Sequence, residues 1–288
     1  MILSFGIGNR NMTGFNAGDL ALLIDSKGRR KMITLEPGKK FFSHTGVIEH
    51  DDILNSTNAN IVETEKGSKY LVIKPLLRDF VLGMPRGATV IYPKDAAMIV
   101  GYADLYPGAK VLEAGVGSGA LSASVLRAIG AAGYLESYER REDFAAIAKV
   151  NIENFFGSMP ENWNVTVGDV IDVENDGFTH ILLDMLEPWV PLQKMSTVLL
   201  PGGVLCCYVA TTTQLSVFVE AIRELECFTE PEAFETILRP WHLEGLAVRP
   251  EHRMIGHTGF LVLTRRMGLE VKPLVKRRRP TTSGADQN

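Results

Sequence analysis

Four acidic residues stand where short apolar runs end, and the first introduces a glycine loop. Glu113 lies in Val111-Leu112-Glu113-Ala114, which runs into Gly115-Val116-Gly117-Ser118-Gly119-Ala120-Leu121. Glu139 closes Tyr134-Leu135-Glu136-Ser137-Tyr138-Glu139, Asp169 closes Val165-Thr166-Val167-Gly168-Asp169, and Asp184 follows Ile181-Leu182-Leu183. Glycines at alternate positions let a backbone turn sharply and approach a ligand that a Cβ would block. The spacing places Ser118 as the cap of the helix that follows, whose free N–H groups and positive dipole end face the same ligand. Glu139 can accept hydrogen bonds from two ribose hydroxyls, or it is an exposed charge at a strand end. Asp169 can accept from the exocyclic amine of an adenine. Val170 and Phe144 are either apolar walls around that ring or ordinary core residues. Asp184 is the most informative of the acids, because a carboxylate projecting from a buried strand is costly without a task. Tyr92 and Tyr208 fall where the ligand edge of the sheet is expected, to stack on a base or a cation or simply to pack.

The loop distinguishes between nucleotide-like ligands. A dinucleotide fingerprint wants G-x-G-x-x-G. Here the third glycine comes one place early, and Ala120 stands where it belongs. The acid before the loop suits an ammonium-bearing ligand better than a pyrophosphate, which favours S-adenosylmethionine (SAM) over NAD. Other chemistries lack their residues: there is no G-x-S-x-G elbow, no H-E-x-x-H and no Cys/His spacing for a metal. His252 and His257 bracket Arg253-Met254-Ile255-Gly256, where they either touch a nucleic acid or hold a loop.

The elements that must position these groups follow from pattern. From residue 110 onward strands and helices alternate: 110–114, helix 119–130, 134–139, helix 142–155, 163–168, 179–184, helix 190–199, 203–209 and helix 212–225, with later strands near 232–238 and 259–264. Such alternation with continuous apolar strands predicts an α/β fold, a mainly parallel sheet with helices on both faces. Tyr92-Pro93-Lys94-Asp95 opens a helix to about Asp104, with Asp95 a candidate cap, and Pro188 is placed to start the helix after Asp184. Residues 18–81 read as short alternating runs broken by turns, a small antiparallel barrel or sandwich, and the chain before Ala17 reads as loose. The expected division is a β domain over 1–81, a linker over 82–92, a ligand-binding domain over 93–268 and a basic, disordered tail over 269–288.

Composition is that of a globular protein: 288 residues, 45% hydrophobic and 22% charged. No apolar run reaches the roughly 18 residues that span a bilayer, residues 1–8 lack the basic start of a signal peptide, and three cysteines make no disulfide framework. These features point to a reducing cytoplasm. The net charge of −4 hides an uneven distribution. Residues 1–90 hold 12 Lys+Arg against 9 Asp+Glu, residues 91–238 hold 8 against 21, and residues 239–288 hold 10 against 4. Basic ends around an acidic middle suit a polyanion gripped at its flanks, although tails are also basic for solubility. Lys27, Arg29, Arg30, Lys31, Lys39 and Lys40 cluster on the early turns, as phosphate contacts or as a solvated face.

Four motifs together carry a family resemblance: Gly115-Val116-Gly117-Ser118-Gly119, Tyr92-Pro93-Lys94-Asp95, Leu183-Asp184-Met185-Leu186-Glu187-Pro188-Trp189 and Gly256-His257-Thr258-Gly259-Phe260. The chain resembles the bacterial tRNA (adenine-58, N1) methyltransferases from about Gly18 to Arg266. The first motif is common to class I methyltransferases, and the other three in this order are far more selective. The resemblance implies a Rossmann-like class I fold and methyl transfer from SAM to N1 of an adenine in the tRNA T-loop, by a homotetramer. It assigns the cofactor to Glu113, Gly115, Gly117, Ser118, Gly119, Ala120, Leu121, Glu139, Phe144, Asp169, Val170 and Asp184. It sets Asp184, with Tyr92 and Tyr208, beside the target base. Phe144 departs from the family, which often has a polar residue there, and so removes a side-chain hydrogen bond to the cofactor. Two alternatives remain at this level: a class I methyltransferase acting on protein or a small molecule, and a non-catalytic tRNA-binding subunit. The first has no need of a β domain or basic ends, and the second is expected to have lost the glycine loop and Asp184.

Overall fold

A computed structural model of the chain describes residues 13–87 and 89–274. Most of the expected basic tail, residues 275–288 with Lys276-Arg277-Arg278-Arg279, lies outside the described residues, as do residues 1–12. The N-terminal strands are β1 (Leu20–Asp25), β2 (Arg30–Thr34), β3 (Lys40–Ser43), β4 (Gly46–Glu49), β5 (Asn60–Glu63) and β6 (Lys69–Ile73), with a short helix α1 (His50–Leu54) between β4 and β5. They form a four-stranded antiparallel sheet in the order β2-β1-β6-β5 and a separate β3–β4 hairpin. Both share one core: Leu23, Val72 and Tyr70 from the sheet meet Ile48 of the hairpin and Ile53 of α1, and Phe41 sets its ring edge-on to Tyr70. The two layers match the sandwich alternative rather than a closed barrel. The expectation of a loose chain before Ala17 is corrected from Thr13 on: Gly14 bridges to Thr57, and Phe15 is buried in this core. Of the six basic turn residues, Arg29 pairs with Asp25, Arg30 with Asp79, Lys39 with Glu36 and Lys40 with Glu49.

The crossing to the large sheet is a helix, α2 (Leu77–Gly83), which buries Phe80 and Val81. Phe80 packs on Phe155 with ring centroids 4.8 Å apart. Helix α3 (Pro93–Tyr102) follows with Pro93 in its first turn, where a missing N–H costs nothing. Its cap is Tyr92, not Asp95: the Asp95 side chain is buried one turn in, bonded to Lys94 and Thr258.

The remaining elements are β7 (Lys110–Ala114), α4 (Ala120–Ile129), β8 (Tyr134–Glu139), α5 (Glu142–Phe156), β9 (Trp163–Val167), β10 (Phe178–Leu183), α6 (Leu192–Val198), β11 (Leu199–Val209), α7 (Thr212–Glu224), β12 (Glu232–Phe234), β13 (Trp241–Glu244), β14 (Ala247–Pro250) and β15 (Phe260–Arg265). Seven strands make one sheet, ordered β12-β15-β11-β10-β7-β8-β9. Its five strands from β11 to β9 are parallel, and β15 and β12 add to the edge antiparallel. Alternate side chains feed two cores. Val111, Leu182 and Cys206 join α3, α4 and α5 on one face. Leu112, Leu183 and Cys207 join α6 and α7 on the other. All three cysteines are free thiols, Cys206 and Cys207 buried. Burial pushes Cys206 up to about 12 and Cys207 well above the ordinary thiol range.

Several elements differ from expectation: β11 begins at Leu199 rather than 203, and β12 ends at Phe234 rather than near 238. Pro188 sits in a turn and α6 begins only at Leu192 after Pro191. A helix started at Pro188 would meet Pro191, which has no N–H to donate. The β13–β14 hairpin was not foreseen; its strands are only four residues each, too short for alternation to register. It exposes Trp241, Leu243, Leu246 and Val248. Among the described residues, no helix is long and apolar enough to cross a membrane.

Replacing Phe80 with Ala removes a ring that is 2% exposed. Phe80→Ala is expected to lower the unfolding free energy by about 3–5 kcal/mol, measured by chemical denaturation; a loss below about 1 kcal/mol would mean that α2 is not part of the main core.

Candidate active site

The chain visits β7, β8 and β9 on one side and then returns to lay β10 against the other side of β7. A sheet that reverses this way leaves a crevice at the carboxyl ends of the two strands on either side of the reversal. Glu113 and the glycine loop leave β7 at this edge, Asp184 leaves β10, Glu139 ends β8, Asp169 follows β9, and Tyr208 lies next to the end of β11. Strand register aligns them: Leu183 pairs with Ala114 and with Cys207, one residue before Asp184, Gly115 and Tyr208 respectively.

The loop is held tightly. The Gly115 N–H donates to Tyr138 O and the Asp184 N–H to Ala114 O (3.0 and 2.8 Å). Gly115 has φ +85°, and a Cβ added to it would land on the carbonyl oxygen of Asp184. Glu139 accepts from the Gly117 N–H with one carboxylate oxygen (2.9 Å) and from the Arg141 N–H with the other (3.0 Å). Asn151, buried in α5, donates to the carbonyls of Ser118 and Pro85. Ser118 is not the helix cap. Gly119 caps α4 in the left-handed conformation, and the buried Ser118 hydroxyl has no hydrogen-bond partner among the described residues. Ala120 and Leu121, the first helical residues, are buried. Above Gly117 the space is open.

Glu113 is fully buried under the loop. One carboxylate oxygen accepts from Ser122 and Ser137 (2.7 Å each), and the other is unpartnered. Burial, with a smaller contribution from Glu139, pushes its carboxyl up to about 7 against the two serine bonds. Burial and the nearby charges of Glu113 and Glu139 likewise push Asp184 up to about 7. The crevice therefore gathers three carboxylates, and the charges of its neighbours help raise Glu113 and Asp184; Lys94 is committed to Asp95. Asp169 differs: burial works to raise it, but the Ile171 N–H and the Arg140 guanidinium win and hold it low. It also caps the 3-10 turn Val170–Asp172, in which Val170 is buried. Phe144 is half-buried, carries the Arg141 guanidinium on its ring (3.7 Å to the centroid) and abuts Gly87. Tyr92 and Tyr208 are both half-buried. Burial pushes Tyr208 up to about 12; a bond with Thr258 opposes this, and the charges of Asp95 and Asp184 add to it.

Beyond the acids, the Asp184 loop is tied to α7 by Gln214, which donates to Leu186 O (2.9 Å) and also completes a capping box with Thr211. Leu186 stands 83% exposed beside it. His252 is exposed. His257 holds a loop: its ring nitrogens meet Glu235 (2.8 Å) and the Ala210 carbonyl (3.1 Å), and these partners raise its pKa. Sequence reasoning missed Asn151, and it named Lys94 and Thr258 only as members of motifs, without roles; the Lys94–Thr258, Thr258–Asp95 and Asn151–Ser118 bonds span long stretches of chain and leave no local signal. The whole arrangement offers a closely approachable loop backbone, an unpartnered hydroxyl, an open space over Gly117 and negative charge. It suits a ligand with hydroxyls and positive charge.

A family described as the tRNA methyltransferase complex GCD14 subunit matches residues 70–246, and one described as TrmI-like N-terminal matches residues 14–62. The chain is 35% identical to the tRNA (adenine(58)-N(1))-methyltransferase TrmI of Thermus thermophilus, over 85% of this chain and 96% of that protein. Among solved structures it is similar to a SAM-dependent O-methyltransferase from Thermotoga maritima (TM-score 0.85, 28% identity, covering 90% of this chain and 96% of that one). It is also similar to the tRNA (m1A58) methyltransferase TrmI from Aquifex aeolicus (TM-score 0.78, 27% identity, covering 88% and 99%).

Two outcomes are expected from the site's geometry. Gly115→Ala should abolish SAM binding and displace Asp184 together, read by calorimetry and by structure; retained affinity would contradict the close approach. Glu113 and Asp184 keep their protons to about pH 7 when folded, whereas an unfolded carboxyl loses its proton near 4. The folded chain thus binds more protons across that window, and the stability of the free protein should fall as pH rises through it. A cationic ligand reverses the preference, so SAM binding near pH 6.5 should release protons. The binding enthalpy should then vary with the ionisation enthalpy of the buffer, and less so in Asp184→Asn; a buffer-independent enthalpy would refute this.

Proposed function

The chain belongs to the GCD14/TrmI family of tRNA methyltransferases, and from that premise we propose that it transfers a methyl group from SAM to N1 of adenine 58 in the T-loop of tRNA. The observation that carries this reading is the 35% identity to the Thermus thermophilus adenine-58 N1 enzyme over nearly that protein's whole length. The intact glycine loop and Asp184 speak against a non-catalytic subunit. The match of residues 14–62 to the TrmI-like N-terminal family speaks against a small-molecule or protein methyltransferase, which has no use for that domain.

SAM supplies, when bound, a methyl group already activated by a sulfonium. What the protein must add is alignment, which can lower a barrier by roughly 7–11 kcal/mol. Gly115, Gly117 and Gly119 let the loop backbone come close to the cofactor with no Cβ in the way, and the Ser118 hydroxyl is free to bond with it. Glu139, whose oxygens each keep a lone pair beyond their loop bonds, takes the ribose hydroxyls. Asp169 takes the adenine amine beside Val170 and Phe144. Glu113 balances positive charge from beneath the loop. Ala120 and Leu121 wall the loop's far side.

Adenine N1 has a lone pair in the ring plane and needs no base to attack. Positive charge then develops over the ring and the N6 amino group. Asp184 stands at the switch of strand order to accept from N6, orient N1 and stabilise that charge. Its raised pKa falls back once cationic groups share the crevice, so it acts as a carboxylate. Tyr92 and Tyr208 flank the base. A base engaged in tertiary pairing must be flipped out, at a few kcal/mol, and phosphate contacts from the N-terminal sheet and the C-terminal segment offset this. Exposed Lys27 and Lys31 are candidates for such contacts. Copies of the chain associate, as a tetramer by the family resemblance, and the exposed apolar residues of β13–β14 form a surface suited to burial between them. A cytoplasmic location belongs to the same reading; the absence of an apolar membrane-crossing helix among the described residues is compatible with it.

Asp184→Asn is expected to keep SAM affinity and lose turnover by about 10²–10³-fold. The measurement is nucleoside mass spectrometry of unmodified tRNA after incubation with SAM. Full turnover in the variant would remove Asp184 from catalysis, and a label outside adenine 58 would overturn the substrate assignment.

A further inference from the structure

Past the last paired residues of β10 and β11, a side chain takes the place of a ladder peptide. The parallel register of the two strands ends with Leu183 opposite Cys207. Carried further, the same register sets Asp184 opposite Tyr208 and Leu186 opposite Ala210. Gln214, in the first turn of α7, spans the two segments there. Its Oε1 accepts from the N–H groups of Ala210 and Thr211 (3.2 Å each) and from the Thr211 hydroxyl (3.1 Å). Its Nε2 donates to the Leu186 carbonyl (2.9 Å). The surroundings decide which way round the amide sits, because N–H groups need its oxygen and a carbonyl needs its nitrogen. An acceptor toward one strand and a donor toward the other is what a peptide group offers its two neighbours in a sheet.

The two ends of this tie are held differently. Ala210 is fixed from its other side, where its carbonyl accepts from His257 Nε2 (3.1 Å) while His257 Nδ1 meets Glu235 Oε2 (2.8 Å). The Leu186 side chain stands exposed, so packing contributes little to holding that residue. Asp184 itself is pinned toward β7: its N–H donates to Ala114 O (2.8 Å), and its carbonyl occupies the space that a Cβ on Gly115 would need. Toward β11, the segment after Asp184 is held by the Gln214 amide.

We propose that Gln214 is a positioning residue that sets the gap between Asp184 and Tyr208, into which the target base enters. The proposal rests on the reading that these two residues flank that base. Directly paired strands lie about 4.8 Å apart, which leaves no room for a ring between their backbones. An amide interposed between the strand ends holds them wider and fixes the width. Alignment is the protein's main contribution to this reaction, and a displacement of about 1 Å in one flank of the base can cost about a hundredfold.

The capping box of α7 makes the test selective. Glutamate at 214 keeps the acceptor that completes the box with Thr211, but it has no N–H for the Leu186 carbonyl. Gln214→Glu, Gln214→Leu and Asp184→Asn are compared in tRNA methylation, with SAM affinity and thermal stability measured on each. Gln214→Glu is expected to lower kcat by about 10–100-fold, the range from one lost hydrogen bond to a misplaced reacting group, with SAM affinity and melting temperature unchanged. Gln214→Leu should lose as much kcat without an added charge, and should also melt earlier because it gives up the box. If Gln214→Glu is slow but Gln214→Leu turns over normally, the effect is one of charge, and the positioning role is overturned. With Asp184→Asn impaired, normal turnover in Gln214→Glu overturns that role alone, as does a kcat loss matched by lost SAM affinity and stability. Normal turnover in Asp184→Asn means that the base does not sit beside Asp184, and the proposal falls with that reading.

Discussion

The close approach of two strand ends governs this molecule. Where β7 gives way to the glycine loop and β10 gives way to Asp184, the backbones come so near that no side chain fits on Gly115. That contact makes one location both the floor of a ligand loop and the root of a half-buried acid. Everything else at the edge is arranged around it: Glu139 reaches back to Gly117, Asn151 holds Ser118 from α5, and Gln214 holds the segment after Asp184 from α7. Strand order supplies the crevice, and the glycine keeps it narrow.

Charge gives the site its second constraint. The charge of Glu139 opposes ionisation of Glu113 and Asp184, Glu113 adds to the effect on Asp184, and Lys94 is spent on Asp95 and Thr258. A binding site that carries surplus negative charge selects its occupant by sign. Sulfonium, ammonium and a purine gaining positive charge are each stabilised there, whereas pyrophosphate is repelled. The crevice thus draws its sign from the acidic middle of the chain, whereas the two ends of the chain carry a basic excess.

Much of this was legible in the chain itself. Apolar runs that each end in an acid, set off by a glycine loop of the wrong spacing for NAD, located four strand ends to within a residue or two, because strand burial and helix capping are local physics. What escaped was non-local. Asp95 looks like a cap from its neighbours alone, yet it belongs to Thr258, 163 residues away. Ser118 has the right chemistry for a cap, but Gly119 takes the left-handed conformation that ends the loop and displaces it. The β13–β14 hairpin consists of strands too short to show a period, and its apolar residues face outward, which gives no core pattern to detect.

Cys206 and Cys207 sit side by side in β11, with Cys207 beside the strand residue that precedes Asp184. Thiolates are the side-chain nucleophiles that alkylating agents modify most readily. A protein that houses such an agent next to two cysteines risks methylating itself. Burial on both faces of the sheet holds the pair as inert thiols at neutral pH, and Cys206 and then Asp184 add to the effect on Cys207. The strand that carries Tyr208 to the crevice is thereby also protected from becoming a dead-end acceptor.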